Sequence, residues 1–551
     1  MLTPRQFLDT RAGTHCAIGL ILLVGASTGL TGLGWGLPSS QRAALLGGSV
    51  AACRAELSSR SERDLDTRRG QGTIFRAAPL EDEFDLPRVV RRFLLFTDSP
   101  DEALTLLALA NLRPRQLDFN PRIVQYGGVH VYGTGAALAV AHTIHFGRIT
   151  GDVGHYADRP QDIARLYVAG RLLIVCYNIG IALVLFAFGR EAAGSLCGVV
   201  AALCWLLSPA AVAFSHIINP HLPAAVFATL AAWLSWRAAH APARAGGWIA
   251  AGAACGAAAS CAPNAALALL APWSVAAFGW RREPRVAAKC IVIAFIAAAA
   301  SYLAFNPYIF ANIGVLLSER ARFREFFPSF VSPLGLVGFA RATLPSALGY
   351  VGLGVVVLGA TRWWRRGGAG GRALVVFAVV GVVVAATMTG TKAGEPASVR
   401  FAMLVLPLLW LPVAVALTSN WSWWLRATIG LAIAVELLWN GAGYLRSYLR
   451  SPRDEAGAYI NAHMPSGASI LVPRSPSPYK TPAFDFQRVR VVTDLQEDVE
   501  YLVRVESTKA ANAPSGYVLV ASFPSEAANK LTPLSFSGRI VRLYRRVVSA
   551  D

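Results

Sequence analysis

The 551-residue chain is 54% hydrophobic and only 15% charged, with a mean hydropathy of +0.46, where a soluble protein carries roughly 25% charged residues. That deficit, with repeated apolar runs of about 17 to 22 residues, excludes an ordinary soluble domain and predicts a polytopic α-helical membrane protein. The net charge of +19 does not imply a nucleic-acid partner, because the basic residues, nearly all arginine, cluster between apolar segments as the positive-inside rule predicts.

In chain order, the first apolar run is His15 to Leu33. No small-residue cleavage site follows it, so it reads as a retained span. Arg5 and Arg11 before it place the N-terminus in the cytoplasm. A mostly polar stretch, 34–165, comes next. Within it "SSRSERDLDTRRGQG" (Ser58–Gly72) and "LEDEFD" (Leu80–Asp85) read as solvated segments. "TDSPDEALTLLALANL" (Thr97–Leu112) reads as the start of a helix, and "VHVYGTGAALAVAHTIHF" (Val129–Phe146) is apolar and about long enough to cross. Further spans are predicted at Leu166–Phe188, Ala192–Phe214, Leu222–Trp236, Trp248–Ala262, Ala265–Trp280, Val286–Phe305, Leu344–Ala360, Ala373–Thr387, Phe401–Leu417 and Ala427–Tyr444.

Charge decides the topology. If Val129–Phe146 lies along the surface or re-enters, the basic loops "WRREPR" and "TRWWRRGGAGGR" face the cytoplasm; if it crosses once, both land outside. The first arrangement is favoured, and His130, His142 and His145 fit it. It gives about eleven crossings with the C-terminus outside. The extracytoplasmic face then collects the long first loop, the turn "SHIINPH" (Ser215–His221), the loop from Asn306 to Phe327, and "TGTKAGEPASVR" (Thr389–Arg400).

The tail is different. From about Ser451 a helix, Asp454–Met464, and strands at Ala468–Pro473, Arg488–Thr493, Gly516–Ser522 and Arg539–Val547 alternate with Pro- and Ser-rich turns. This predicts a small α/β domain, 451–551, attached to a membrane domain, 1–450. Seven of the eight cysteines lie in or beside apolar segments, and Cys53 alone in a polar loop. Neither a disulfide framework nor metal spacing is evident.

The two adjacent acids of the first loop admit two readings. Ser99-Pro100-Asp101-Glu102 has the form of a capping box with proline at the first helical position, so Glu102 would bond back to the Ser99 amide. Both acids would also sit at the positive end of the helix dipole. The box uses only one carboxylate, however. Asp101 is left for chemistry, and a partly desolvated carboxylate can serve as a general base.

The stretch "SPDEALTLLALANLRPRQLDFNPRIVQYGGVHVY" (Ser99–Tyr132) resembles the start of the first external loop of GT-C integral-membrane glycosyltransferases. The likeness is to the branch with protein O-mannosyltransferases and the aminoarabinose transferase of lipid A. Asp101-Glu102, then Pro121, Tyr126 and Tyr132, then Arg165 or Arg171, follow that family's order. "SHIINPHLPAAVF", "NPYIF" and "VRFAMLVLPLLWL" resemble later segments, so the resemblance runs over about residues 1–450.

The resemblance implies transfer of a sugar from a polyprenyl-phosphate carrier to an extracytoplasmic acceptor, which is a protein, a glycolipid or a polysaccharide. It implies Asp101 and Glu102 as the catalytic pair, Asp101 as base, and inversion at the anomeric carbon; the Arg- and Ala-rich composition suggests a GC-rich bacterial genome, and with it a bacterial cytoplasmic membrane location. Lys392 and Arg400 are the candidates to stabilise the leaving phosphate. Tyr126, His130, Tyr132, His216, Asn219 and His221 complete the candidate substrate-binding set. Where relatives often carry an acid in the second external turn this chain has His221, so no metal ligand set is assigned and no cofactor is expected. Two other classes stay open. A transporter or lipid flippase would place acids or broken helices at mid-membrane, whereas Arg171 and Glu436 are the exceptions within these spans. A non-catalytic envelope assembly protein would make Asp101 dispensable.

Overall fold

The computed structural model describes residues 4–59, 84–279, 283–318, 333–389, 396–473, 476–494, 499–506, 513–525, 537 and 539–547. Lys392, the mixed-charge stretch from Arg60 and most of the acidic run Leu80–Asp85 lie outside them. The chain is mostly helical, with a small C-terminal sheet. Among the described residues five helices are long and apolar enough to cross a membrane, or up to seven if each of two bent pairs is one span. It is a multi-pass membrane protein.

Helices form at each predicted span, but several are shorter or broken. Ala192–Phe214 was expected as one run. It is two helices, Ser195–Leu207 and Pro209–Ser215, bent by 57°, because Pro209 cannot continue the first ladder and Ser208 caps the second helix at the Ala211 amide. Leu344–Ala360 was also expected to run straight. It turns through 101° between the helix ending at Leu348 and the helix Tyr350–Arg366. Gly349 makes the corner at φ +80°, a conformation that L side chains rarely adopt. The new helix start is then satisfied by Glu436, whose carboxylate accepts from the Tyr350 and Val351 amides at 2.6 and 3.0 Å.

The chain divides into two compact units. The first comprises Met1–Thr31, Val124–Gly133 and Leu172–Ala442. It is a helical assembly with alanine-rich cores, such as the one joining Ala228, Ala231, Cys255, Ala258 and Ala298. The second comprises Gly32–Ile123, Thr134–Arg171 and Gly443–Asp551. Its sheet has strands β1 (Ser469–Leu471), β2 (Arg490–Val492), β3 (Tyr501–Glu506), β4 (Tyr517–Phe523) and β5 (Ile540–Arg546) in the order β2-β1-β3-β5-β4. The pairs β1–β2 and β1–β3 are parallel; β3–β5 and β4–β5 are antiparallel. First-loop residues Leu46, Cys53, Val90 and Phe93 share one core with Ile460, Phe484, Val503 and Leu543 from the tail. The first loop and the tail therefore fold together around that core. Cys53, which reads as a loop residue in the sequence, is a core residue.

Candidate functional site

The helix carrying the acidic pair runs Pro100–Ala110, with Ser99 at its N-cap and Pro100 fixing the first turn. The capping-box bond expected from the sequence is not made. The Ser99 side chain forms no cap, and its amide donates to Thr97 Oγ1 at 3.2 Å. Glu102 turns instead to Arg171 of the helix Pro160–Ala193. Nε donates to Oε1 at 2.7 Å and Nη2 to Oε2 at 2.8 Å, with both side chains fully buried. Arg171 Nη1 also donates to the Leu33 and Trp35 carbonyls at 2.6 and 2.8 Å, and Thr97 Oγ1 donates to Glu102. A buried guanidinium needs a carboxylate more than an amide needs a cap, since the unpaired charge is the more costly loss. Asp101, one residue earlier in the same first turn, is 93% buried, with 7% exposure, and faces the favourable end of the helix dipole. Of the two arginines that follow the family's order, Arg171 is the one that pairs with Glu102; the Arg165 side chain is half exposed and lies 4.0 Å from Asp162.

The other described candidates belong to the helical unit, and several of them form one group. The rings of Tyr126 and His130 meet edge to face, centroids 5.4 Å apart. His221 is within electrostatic reach of both His130 and Arg400, and Tyr132 of Tyr308. Burial pushes the His130 imidazole down to about 3, so the ring is neutral at pH 7 and suits a hydrogen bond better than charge compensation. Asn306 fixes the start of the helix Gly128–Thr143 that carries His130 and Tyr132. Its Oδ1 accepts from the Gly128 amide at 2.8 Å, and its Nδ2 donates to Ser260 Oγ and the Tyr302 carbonyl at 2.9 and 2.8 Å. The sequence signal for this latch was the "NPYIF" segment.

His216 and Asn219 have a different setting. Both ring nitrogens of His216 lie 2.7 Å from backbone carbonyls, of Val212 and Thr31. Asn219 donates twice, to the Phe214 and Ile217 carbonyls, and accepts from the His221 and Leu222 amides. Its side chain thus caps the helix His221–Ala238 and braces the preceding turn. Such saturated groups hold a turn in place; they have little hydrogen-bonding capacity left for a ligand. Among the described residues no group of three His, Cys, Asp or Glu side chains is placed to hold a metal ion.

Residues 167–309 match the family model described as dolichyl-phosphate-mannose-protein mannosyltransferase. That segment holds Arg171, the His216–His221 turn and Asn306; the acidic pair, Tyr126, His130 and Tyr132 lie before it and Arg400 after it. Among solved structures the chain is similar to ArnT from Cupriavidus metallidurans bound to undecaprenyl phosphate. The identity is 12%, over 98% of this chain and 99% of that chain, with a TM-score of 0.44. It is also similar to the archaeal oligosaccharyltransferase AglB from Archaeoglobus fulgidus in complex with an inhibitory peptide and a dolichol-phosphate, at 12% identity over 69% of this chain, with a TM-score of 0.41. The chain spans 61% of the length of that AglB chain. No curated protein sequence matches it significantly.

Proposed function

We propose that this protein transfers a sugar from a polyprenyl-phosphate carrier to a hydroxyl of an extracytoplasmic acceptor, with Asp101 as the general base. The observation that carries the reading is the burial of an acidic pair at one helix start, in which the fork with Arg171 takes up Glu102 and Asp101 stands one residue earlier in the same first turn. The family match over 167–309 supports it, since the matched segment supplies the Arg171 partner.

In the proposed step the Asp101 carboxylate takes the proton of the acceptor hydroxyl. The oxygen forms a bond to the anomeric carbon as the carbon–oxygen bond to the carrier phosphate breaks, and the phosphate leaves with the bonding pair. Attack opposite the leaving group inverts the configuration. Arg400, and Lys392 beyond the described residues, are assigned to the charge that grows on the leaving phosphate. Tyr126, His130, Tyr132 and His221 are assigned to substrate contacts. Glu102 acts through Arg171 by fixing the turn. The location we assign is a bacterial cytoplasmic membrane with the N-terminus inside.

The test uses purified protein in lipid with a panel of polyprenyl-phosphate sugars, following release of free polyprenyl phosphate. Asp101→Asn should lower turnover by about 10²- to 10⁴-fold while the protein remains folded. Equal turnover in both proteins would remove Asp101 from the chemistry.

A further inference from the structure

Three residues before Asp101 lies a third buried carboxylate, Asp98, which the proposed chemistry does not use. It is 1% exposed. Its Oδ1 accepts from Arg42 Nη2 at 2.6 Å, and its Oδ2 from Arg453 Nη1 at 3.3 Å. Its amide donates to the Gly36 carbonyl at 3.0 Å, and Arg42 donates also to the carbonyls of Phe96 and Gly36 at 3.1 and 3.3 Å. The segment Phe96–Ser99 that launches the carboxylate helix is therefore gripped on both backbone and side chain. Arg42 comes from the first loop itself. Arg453 comes from more than 350 residues further on, from the helix Pro452–His463 that packs into the shared core of the tail.

Arg453 is poorly suited to a purely stabilising role. It is 3% exposed, yet among the described residues its Nε and Nη2 have no hydrogen-bond partner. Burial holds its guanidinium below the usual arginine range, and Asp98 only partly offsets this. A buried cation with unmet donors destabilises the fold relative to an apolar side chain of similar volume. What the arrangement does supply is geometry. Asp98 is fixed by Arg42 and Arg453, Glu102 by Arg171, and Thr97 Oγ1 ties the two ends by donating to Glu102. Asp101 lies in the turn between the two fixed carboxylates.

We propose that Arg453 is a positioning residue: through Asp98 it sets the first turn of the helix Pro100–Ala110 and hence the direction of the Asp101 carboxylate. The C-terminal region thereby becomes part of the sugar-transfer machinery. This proposal rests on the glycosyltransferase reading above, and its test has one arm that does not.

The full-length protein in lipid nanodiscs is compared with Arg453→Ala, Arg453→Lys and Asp98→Asn. The first arm is amide hydrogen exchange. Arg453→Ala should speed exchange over 97–103 by about tenfold or more, with exchange in β3 and β5 unchanged. The second arm is turnover. kcat should fall by up to about a hundredfold, the scale of a small misplacement of a reacting group, with KM for the lipid donor within about twofold. Arg453→Lys, which still offers one donor to Asp98, should recover part of both effects, and Asp98→Asn should resemble Arg453→Ala. Exchange that rises equally across β3 and β5 would mean loss of the fold, and would overturn the proposal. Unchanged exchange over 97–103 would overturn it too, as would an unchanged kcat in an active enzyme. A wild type inactive with every donor would sink the glycosyltransferase reading, while the exchange arm would still decide whether Arg453 sets the helix start.

Discussion

Replacing Arg171 by alanine should come close to unfolding the unit that holds it. The substitution removes four donated hydrogen bonds: two to Glu102 and two to the Leu33 and Trp35 carbonyls. Glu102 is fully buried and would be left as an uncompensated charge. Breaking a buried ion pair from one side costs about 3–5 kcal/mol, and each buried carbonyl stripped of its donor adds about 1 kcal/mol or more. The total is about 5–7 kcal/mol, against a net stability of about 5–15 kcal/mol for a typical domain. Arg171→Lys keeps the charge but cannot reproduce the planar fork, and should cost about 1–3 kcal/mol. The double variant Arg171→Met/Glu102→Gln removes both charges together, so it should be more stable than Arg171→Ala. The cycle should show a coupling of about 2–3 kcal/mol. Denaturant unfolding in detergent, followed by tryptophan fluorescence on all members of the cycle, measures this. If the double variant loses the sum of the two single losses, Glu102 and Arg171 do not act as a unit.

Two further outcomes follow from local geometry. Gly349→Ala places a Cβ at φ +80° and 2.3 Å from Glu436 Oε2, and should lower stability by about 1–3 kcal/mol. A thermal shift would show this, and no shift would mean the corner is not held as described. Asp454, beside Arg453, has its carboxyl raised above the ordinary value of 3.8 chiefly by burial, with Arg42 opposing. A carboxyl raised in the folded state binds its proton more tightly there than in the unfolded chain. Its contribution is fully present below the unfolded value and is lost as pH rises through the folded one. Asp454→Asn should therefore flatten the fall in Tm over the acidic range just above pH 3.8; an unchanged slope would refute the assignment.

Much of the helical layout was legible because apolar composition and length suffice to mark a membrane helix. The breaks were less so. Pro209 can be read as a break in the sequence, but Gly349 is one of 49 glycines, and what makes it a corner is Glu436, which accepts from the Tyr350 amide 86 residues away. The start of the carboxylate helix was legible in Ser99-Pro100, which act locally. The fate of Glu102 was not, because its partner is 69 residues away and no local pattern weighs an ion pair against a cap. Strand β3 was missed because Arg504 and Glu506 make "YLVRVE" read as polar, whereas in the sheet Glu506 accepts from Arg542. The core shared by the first loop and the tail rests on residues such as Leu46, Phe93 and Phe484, which no spacing rule connects.

The acidic pair shows why two neighbouring carboxylates of similar chemistry need not be interchangeable. Successive residues of an α-helix point about 100° apart, so when Glu102 faces Arg171 its neighbour faces a different direction. Arg171 offers five N–H groups, and four of them are committed to Glu102 and to two carbonyls. It has no second fork to offer Asp101. Exchanging the two roles would require rotating the helix by about a third of a turn. That would break the Glu102 fork and pull Ser99 away from Thr97, while Asp98 is held by two arginines just upstream. The same contacts that hold Glu102 at Arg171 therefore set the direction open to Asp101, the proposed base.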